Sequence, residues 1–185
     1  TSASDPRRHF QVYDGGQLFL SFLNLTRGRV FVNADGLWGG SDSGGSIRII
    51  GAGALLDVTS CAFVGCDADY CAQSGGIIRV NGARVFVRDT LFERGSARRY
   101  AGALDLNYGA HATISGSTFK ANKAVTLGGA ISILDHGHNG STTTLILRGG
   151  ENSFEGEMGG SNTYIRKYGT GGSGHERQIL VFDTC

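Results

Sequence analysis

Proline is almost missing from this chain: Pro6 is the only one in 185 residues. A proline inside a strand removes a ladder donor, so its scarcity leaves nothing to interrupt a continuous sheet. Methionine and tryptophan also occur once each. Neither sign of charge dominates, with 17 Lys and Arg against 16 Asp and Glu and a formal net charge of +1. That balance leaves no electrostatic footprint for nucleic acid. No apolar run approaches the roughly 18 residues of a membrane-spanning helix, so membrane insertion by a helix is not expected. No cofactor-binding motif is legible. No signal-peptide pattern opens the chain, and its first residue is not methionine. Processing or the selection of a fragment is therefore expected to have made this N-terminus.

Cysteines number four: Cys61, Cys66, Cys71 and Cys185. The C-x4-C-x4-C spacing lacks the second pair, or the histidines, of common zinc signatures, so no metal site is expected. Four cysteines allow three pairings. Cys66 with Cys71 is the easiest loop disulfide, and it implies an oxidising, extracellular setting. Two N-glycosylation triplets, starting at Asn24 and Asn139, lean the same way.

Glycine, at 31 residues, is more than twice its usual share. It marks a recurring phrase: a glycine pair, two apolar–x–apolar triplets, then phenylalanine. The phrase runs from Gly44-Gly45 to Phe63, Gly75-Gly76 to Phe92, Ala101-Gly102 to Phe119 and Gly128-Gly129 to Phe154. A period of about 30 residues means one supersecondary unit stacked on copies of itself. Two short strands per unit, with no helical periodicity between them, predict an all-β solenoid of about six coils. With ~4.8 Å between stacked strands, its body would be roughly 30 Å long.

The columns align by hand. Ile47, Ile78, Leu104 and Ile131 share one inward position, and Ile49, Val80, Leu106 and Ile133 the next. Arg48, Arg79, Asp105 and Ser132 lie between them and point outward. In the second strand, Leu56, Val85, Ala112 and Leu145 form one inward column and Val58, Val87, Ile114 and Leu147 the other. The phenylalanines are expected to stack inside. An earlier coil is read over 10–28, with Leu25 at the phenylalanine position, regular coils over 44–154 and an irregular last coil over 155–185. The whole chain is one domain. Leu180-Val-Phe182-Asp-Thr-Cys185 repeats Leu56-Asp-Val58-Thr-Ser-Cys61, so the phrase stops before its closing phenylalanine. The expectation is a segment of a longer solenoid, or an end capped by a partner. The connecting stretches 33–43, 64–74, 93–100, 120–127 and 155–162 vary most and are the expected carriers of function.

Gly128-Gly129-Ala130-Ile131 reads GGAI, and Phe119-Lys-Ala-Asn122 reads FxxN. Alternating at this spacing, they resemble the polymorphic outer-membrane-protein repeat of chlamydial surface adhesins. More widely, the chain is similar to right-handed parallel β-helix proteins of the pectate-lyase type. The other positions read Phe63-Val-Gly-Cys66, Phe92-Glu-Arg-Gly95 and Phe154-Glu-Gly-Glu157. The resemblance implies a right-handed β-helix and an adhesive surface role. The pectate-lyase likeness implies a lyase or epimerase alternative, in which acidic residues hold calcium and an arginine or lysine abstracts the proton beside a uronate carboxylate. For that alternative the candidates are Arg79 and Asp105, with His136 from the Asp135-His136-Gly137-His138 cluster. One Asp between Arg79 and Ser132 is poor in oxygen ligands for calcium, and a ladder salt bridge between Arg79 and Asp105 is the simpler expectation. Phe86 and Ile146, in an outward column with Phe19, Asp57 and Thr113, and the loop residue Trp38 are candidates for glycan or protein contact. The function read from the chain is an extracellular structural or adhesive module of a cell-surface protein or filament. Its partners would be neighbouring subunits, the rest of a longer chain, or cell-surface glycan.

Overall fold

The computed structural model describes residues 7–30, 42–66, 68–135, 142–149, 152–156, 158–159, 165–169 and 179–183, the last three segments by their backbone alone. All regular structure among them is β-strand, wound as a parallel solenoid. The first sheet stacks six strands: Phe10–Val12, Ile47–Ile50, Ile78–Asn81, Leu104–Asn107, Ile131–Asp135 and Ile165–Gly169. The second also stacks six: Gln17–Ser21, Leu55–Thr59, Arg84–Arg88, His111–Ser115, Thr144–Arg148 and Ile179–Asp183. A third sheet carries the phenylalanines on five strands, from Asn24–Thr26 to Ser153–Glu155. A fourth joins Ala72–Ser74, Ser96–Tyr100, Lys123–Ala124 and Met158–Gly159. The coil is therefore richer than two strands per unit. Parts of the stretches read as loops over 64–74, 93–100 and 120–127 are strand, because their backbone groups pair with the same stretch of the next coil.

The registers fall in the columns that alternation predicts: Ile47 pairs with Ile78, Ile78 with Leu104 and Leu104 with Ile131. Like residues thus lie above like, and the inward columns fuse into one core that includes Ile49, Leu56, Val80, Leu106 and Ile114. At its centre Phe63, Phe92, Phe119 and Phe154 stack nearly parallel, at centroid spacings of 5.3, 4.8 and 4.9 Å. Ring stacking adds to the burial of their area.

The corners explain the glycine pairs. The first member of each sits at positive φ: Gly44, Gly75 and Gly128, with Ala101 at 50° in the same column. The second lets coils approach: a Cβ on Gly102 would collide with the carbonyl oxygen of Gly129. A second corner column follows the second sheet, where Phe22, Ser60, Asp89, Gly116 and Gly149 are all left-handed. Only glycine takes this conformation without steric cost.

Polar side chains tie coil to coil at the next position. The Cys61 N–H donates to Thr90 Oγ1, the Thr90 N–H to Ser117 Oγ and the Ser117 N–H to Asn152 Oδ1. Asn122 does similar work one corner on. Its Oδ1 accepts the Gly95 N–H at 2.8 Å, and its Nδ2 donates to the Phe92 carbonyl at 3.0 Å. Both bonds reach into the previous coil, satisfying backbone groups that a buried turn would otherwise strand.

Candidate functional site

Two outer surfaces hold the candidate residues. On the first sheet, Gln11, Arg48, Arg79, Asp105 and Ser132 are successive register partners. Asp105 has no exposed surface. Its Oδ1 accepts the Ser132 hydroxyl at 2.6 Å, and its Oδ2 lies 3.3 Å from an Arg79 terminal nitrogen. Arg79 also donates to Asn81 Oδ1 at 3.2 Å and to Ser43 Oγ at 3.0 Å. A base for proton abstraction must reach a polymer; here both partners are spent on each other and on neighbouring side chains. Asn107, Ser132 and Leu134 are buried as well, so the outer side of these middle coils is covered. Alternation gave the direction of these side chains but not their burial.

The second sheet is different. Phe19, Asp57, Phe86, Thr113 and Ile146 form its outward column. Phe86 and Ile146 are half-buried, whereas Phe19 is 62% exposed. Asp57 is bonded to Arg88 at 2.6 Å, an exposed pair that contributes little to stability. At the corner beyond Phe19 lie Phe22, 82% exposed, and Leu23. These two escaped the sequence reading because they fall between strands, where alternation assigns no side.

Cys66 and Cys71 are joined by a disulfide, with Cα atoms 5.5 Å apart. Cys61 is a free, buried thiol whose Sγ–H points to the Thr59 carbonyl. Asn24 is exposed on the third sheet. Trp38, His136 and Asn139 lie outside the described residues. Among the described residues, no three His, Cys, Asp or Glu side chains converge as a metal-ligand set, and no helix is long and apolar enough to cross a membrane. A groove of about 430 Å³ runs along the third sheet between Asp89, Glu93, Lys120 and Glu155. Its charges alternate in sign from coil to coil, Glu93 opposite Lys120 and Lys120 opposite Glu155, as in a solvated ladder.

Comparison with models of protein families, with curated proteins and with solved structures finds no match to this chain. The resemblance carried by Gly128–Ile131 and Phe119–Asn122 therefore extends to a stacked repeat and a parallel β-solenoid. No family membership follows from it.

Proposed function

We propose that this chain is a structural or adhesive module that acts by contact in an extracellular setting, and that its first coil carries the contact surface. The observation behind this reading is Phe22. A bulky aromatic held at φ 55° and 82% exposed is costly in its backbone and gains little from burial. The corner geometry that Phe22 shares with Ser60 and Asp89 fixes this φ, so what marks the position is a large, exposed aromatic where neither a small residue nor burial is used. With Phe19 and Leu23 beside it, Phe22 makes an aromatic patch of the sort that marks interaction surfaces. The Cys66–Cys71 disulfide and exposed Asn24 suit an oxidising compartment. A glycan or a neighbouring subunit is the partner class that such a rigid, aromatic surface fits.

The test pairs a surface variant with an activity assay. Sedimentation and glycan-array binding of the purified chain are compared with those of a Phe19→Ser, Phe22→Gly double variant. Association or glycan binding in the parent, lost in a variant that still melts cooperatively, is the expected result. Contacts unchanged in the variant would move the surface elsewhere. Release of unsaturated uronate product from acidic polysaccharide, abolished by Arg79→Ala, would replace this reading with the lyase.

A further inference from the structure

Three arginines follow one another along the outer side of the first sheet. Arg48 and Arg79 are register partners. Arg8 lies over the preceding coil, donating to the Gly44 carbonyl at 2.8 Å, the Ser43 carbonyl at 2.7 Å and Gln11 Oε1 at 2.7 Å. Gln11 is the register partner of Arg48, and its amide donates to the Tyr13 hydroxyl. Arg8 and Arg79 are thus both fixed by several acceptors. Arg48, between them, is not: among the described residues it donates no hydrogen bond and forms no ion pair, and its Nε is buried with no partner. A guanidinium carries five donors in a rigid fork, and burying one without an acceptor costs free energy.

The charges around it do not balance either. Burial, and then the neighbouring guanidinium, push Arg8 and Arg48 below the ordinary arginine range, while Tyr13 and Asp42 pull the other way. Among the described residues, three guanidinium groups face the carboxylates of Asp42 and Asp105, which leaves one positive charge over. A half-buried fork whose Nε is buried and unpaired, with a surplus of one charge among the described residues, is suited to a singly charged oxyanion held side-on. Tyr13, 60% exposed, stands at the rim.

We propose that Arg48, flanked by Arg8 and Arg79 and bordered by Tyr13, is an anion-binding site on the first sheet that takes a carboxylate or a sulfate half-ester. The anion supplies the acceptor that Arg48 lacks among the described residues, and the two neighbouring arginines stabilise its charge without themselves being freed from their backbone and side-chain partners. The site lies apart from Phe19 and Phe22, so it does not depend on the contact surface described above.

The test uses the whole chain, with sodium methyl sulfate and sodium acetate as probes at constant ionic strength against sodium chloride. The Arg48 Nε–H resonance is expected to shift and saturate in the millimolar range, and Tm to rise with it. Arg48→Gln should weaken the response at least about tenfold, while Arg84→Gln, an exposed position on the second sheet, should leave it intact. An Nε–H resonance that does not move, or an equal rise of Tm in Arg48→Gln, overturns the site. The resonance titration needs no variant, so it decides the matter even if Arg48→Gln does not fold. A sulfated oligosaccharide that binds tighter than methyl sulfate, with its neutral counterpart inert, identifies the anion as one carried on a glycan. Binding of the sulfated oligosaccharide no tighter than methyl sulfate identifies a free small anion, and either result supports the site, whereas equal binding of the neutral counterpart overturns it.

Discussion

Phe92 and Leu25 occupy one column of the third sheet, two coils apart, and meet different surroundings. Phe92 has a ring above and a ring below, and no exposed surface. Leu25 has a coil on one side and is only partly buried, as are Phe10, Val12 and Leu18 beside it. Outward, the contrast reverses. The middle coils hide Asp105, Asn107 and Ser132, whereas the first coil shows Tyr13, Phe19 and Phe22. Inward, the same phrase packs fully where a coil is described on both sides and only partly where one is described on one side. In a solenoid, position along the axis sets how completely an inward apolar residue is buried.

Five substitutions test that contrast. Phe92→Ala should cost about 3–5 kcal/mol by urea unfolding, because it removes two ring contacts and leaves a cavity. Leu25→Ala should cost less than about 2 kcal/mol, since part of its area is already wet. Equal losses would break the contrast. Next in size, Asn122→Ala should cost about 2–3 kcal/mol, as it leaves the Gly95 N–H and the Phe92 carbonyl unpaired inside the stack. A neutral result would mean that water or a shifted turn replaces both bonds.

Phe22→Gly should raise stability by about 0.5–1 kcal/mol, the left-handed strain relieved less the entropy of glycine. A loss would show that Phe22 packs within the fold, which removes the basis for a contact role. The smallest effect is expected at His9. Partial burial lowers its pKa below 6.5, against a hydrogen bond that the ring donates to the Thr26 backbone carbonyl, which favours the charged form. The unfolded chain therefore takes up the proton first as pH falls, and stability is lost below about pH 6.5. Because His9 is exposed, the loss should stay well under about 1 kcal/mol. Urea midpoints of the parent and His9→Asn at pH 7.5 and 5 isolate it; parallel declines would assign the slope to other groups.

Much of the fold was legible because alternation and period are both one-dimensional signals. The inward columns from Ile47 to Ile131 and the phenylalanine ladder could be aligned without coordinates. The polar ladder of Cys61, Thr90, Ser117 and Asn152 was there to be read too, since each stands two residues before its phenylalanine. It was overlooked because Thr90, Ser117 and Asn152 differ in kind and share only an acceptor oxygen, while Cys61 takes part through its backbone N–H. The fourth sheet gave no signal, as strands such as Lys123–Ala124 are too short to alternate. The candidate sites were hardest. Whether Asp105 faces solvent depends on what covers the coil, and whether Arg48 has a partner depends on three loops meeting. Neither fact has a period.

The coil-on-coil register has a mechanical consequence. Almost every backbone bond between coils runs along the axis, in ladders such as Ile78 to Leu104 and Arg84 to His111. A pull along that axis would load one ladder at a time, so the chain should yield turn by turn instead of all at once. Each turn released would pay out about 30 residues, or roughly 100 Å of contour. The force trace would be a sawtooth, with the phenylalanine-bearing turns as its tallest teeth.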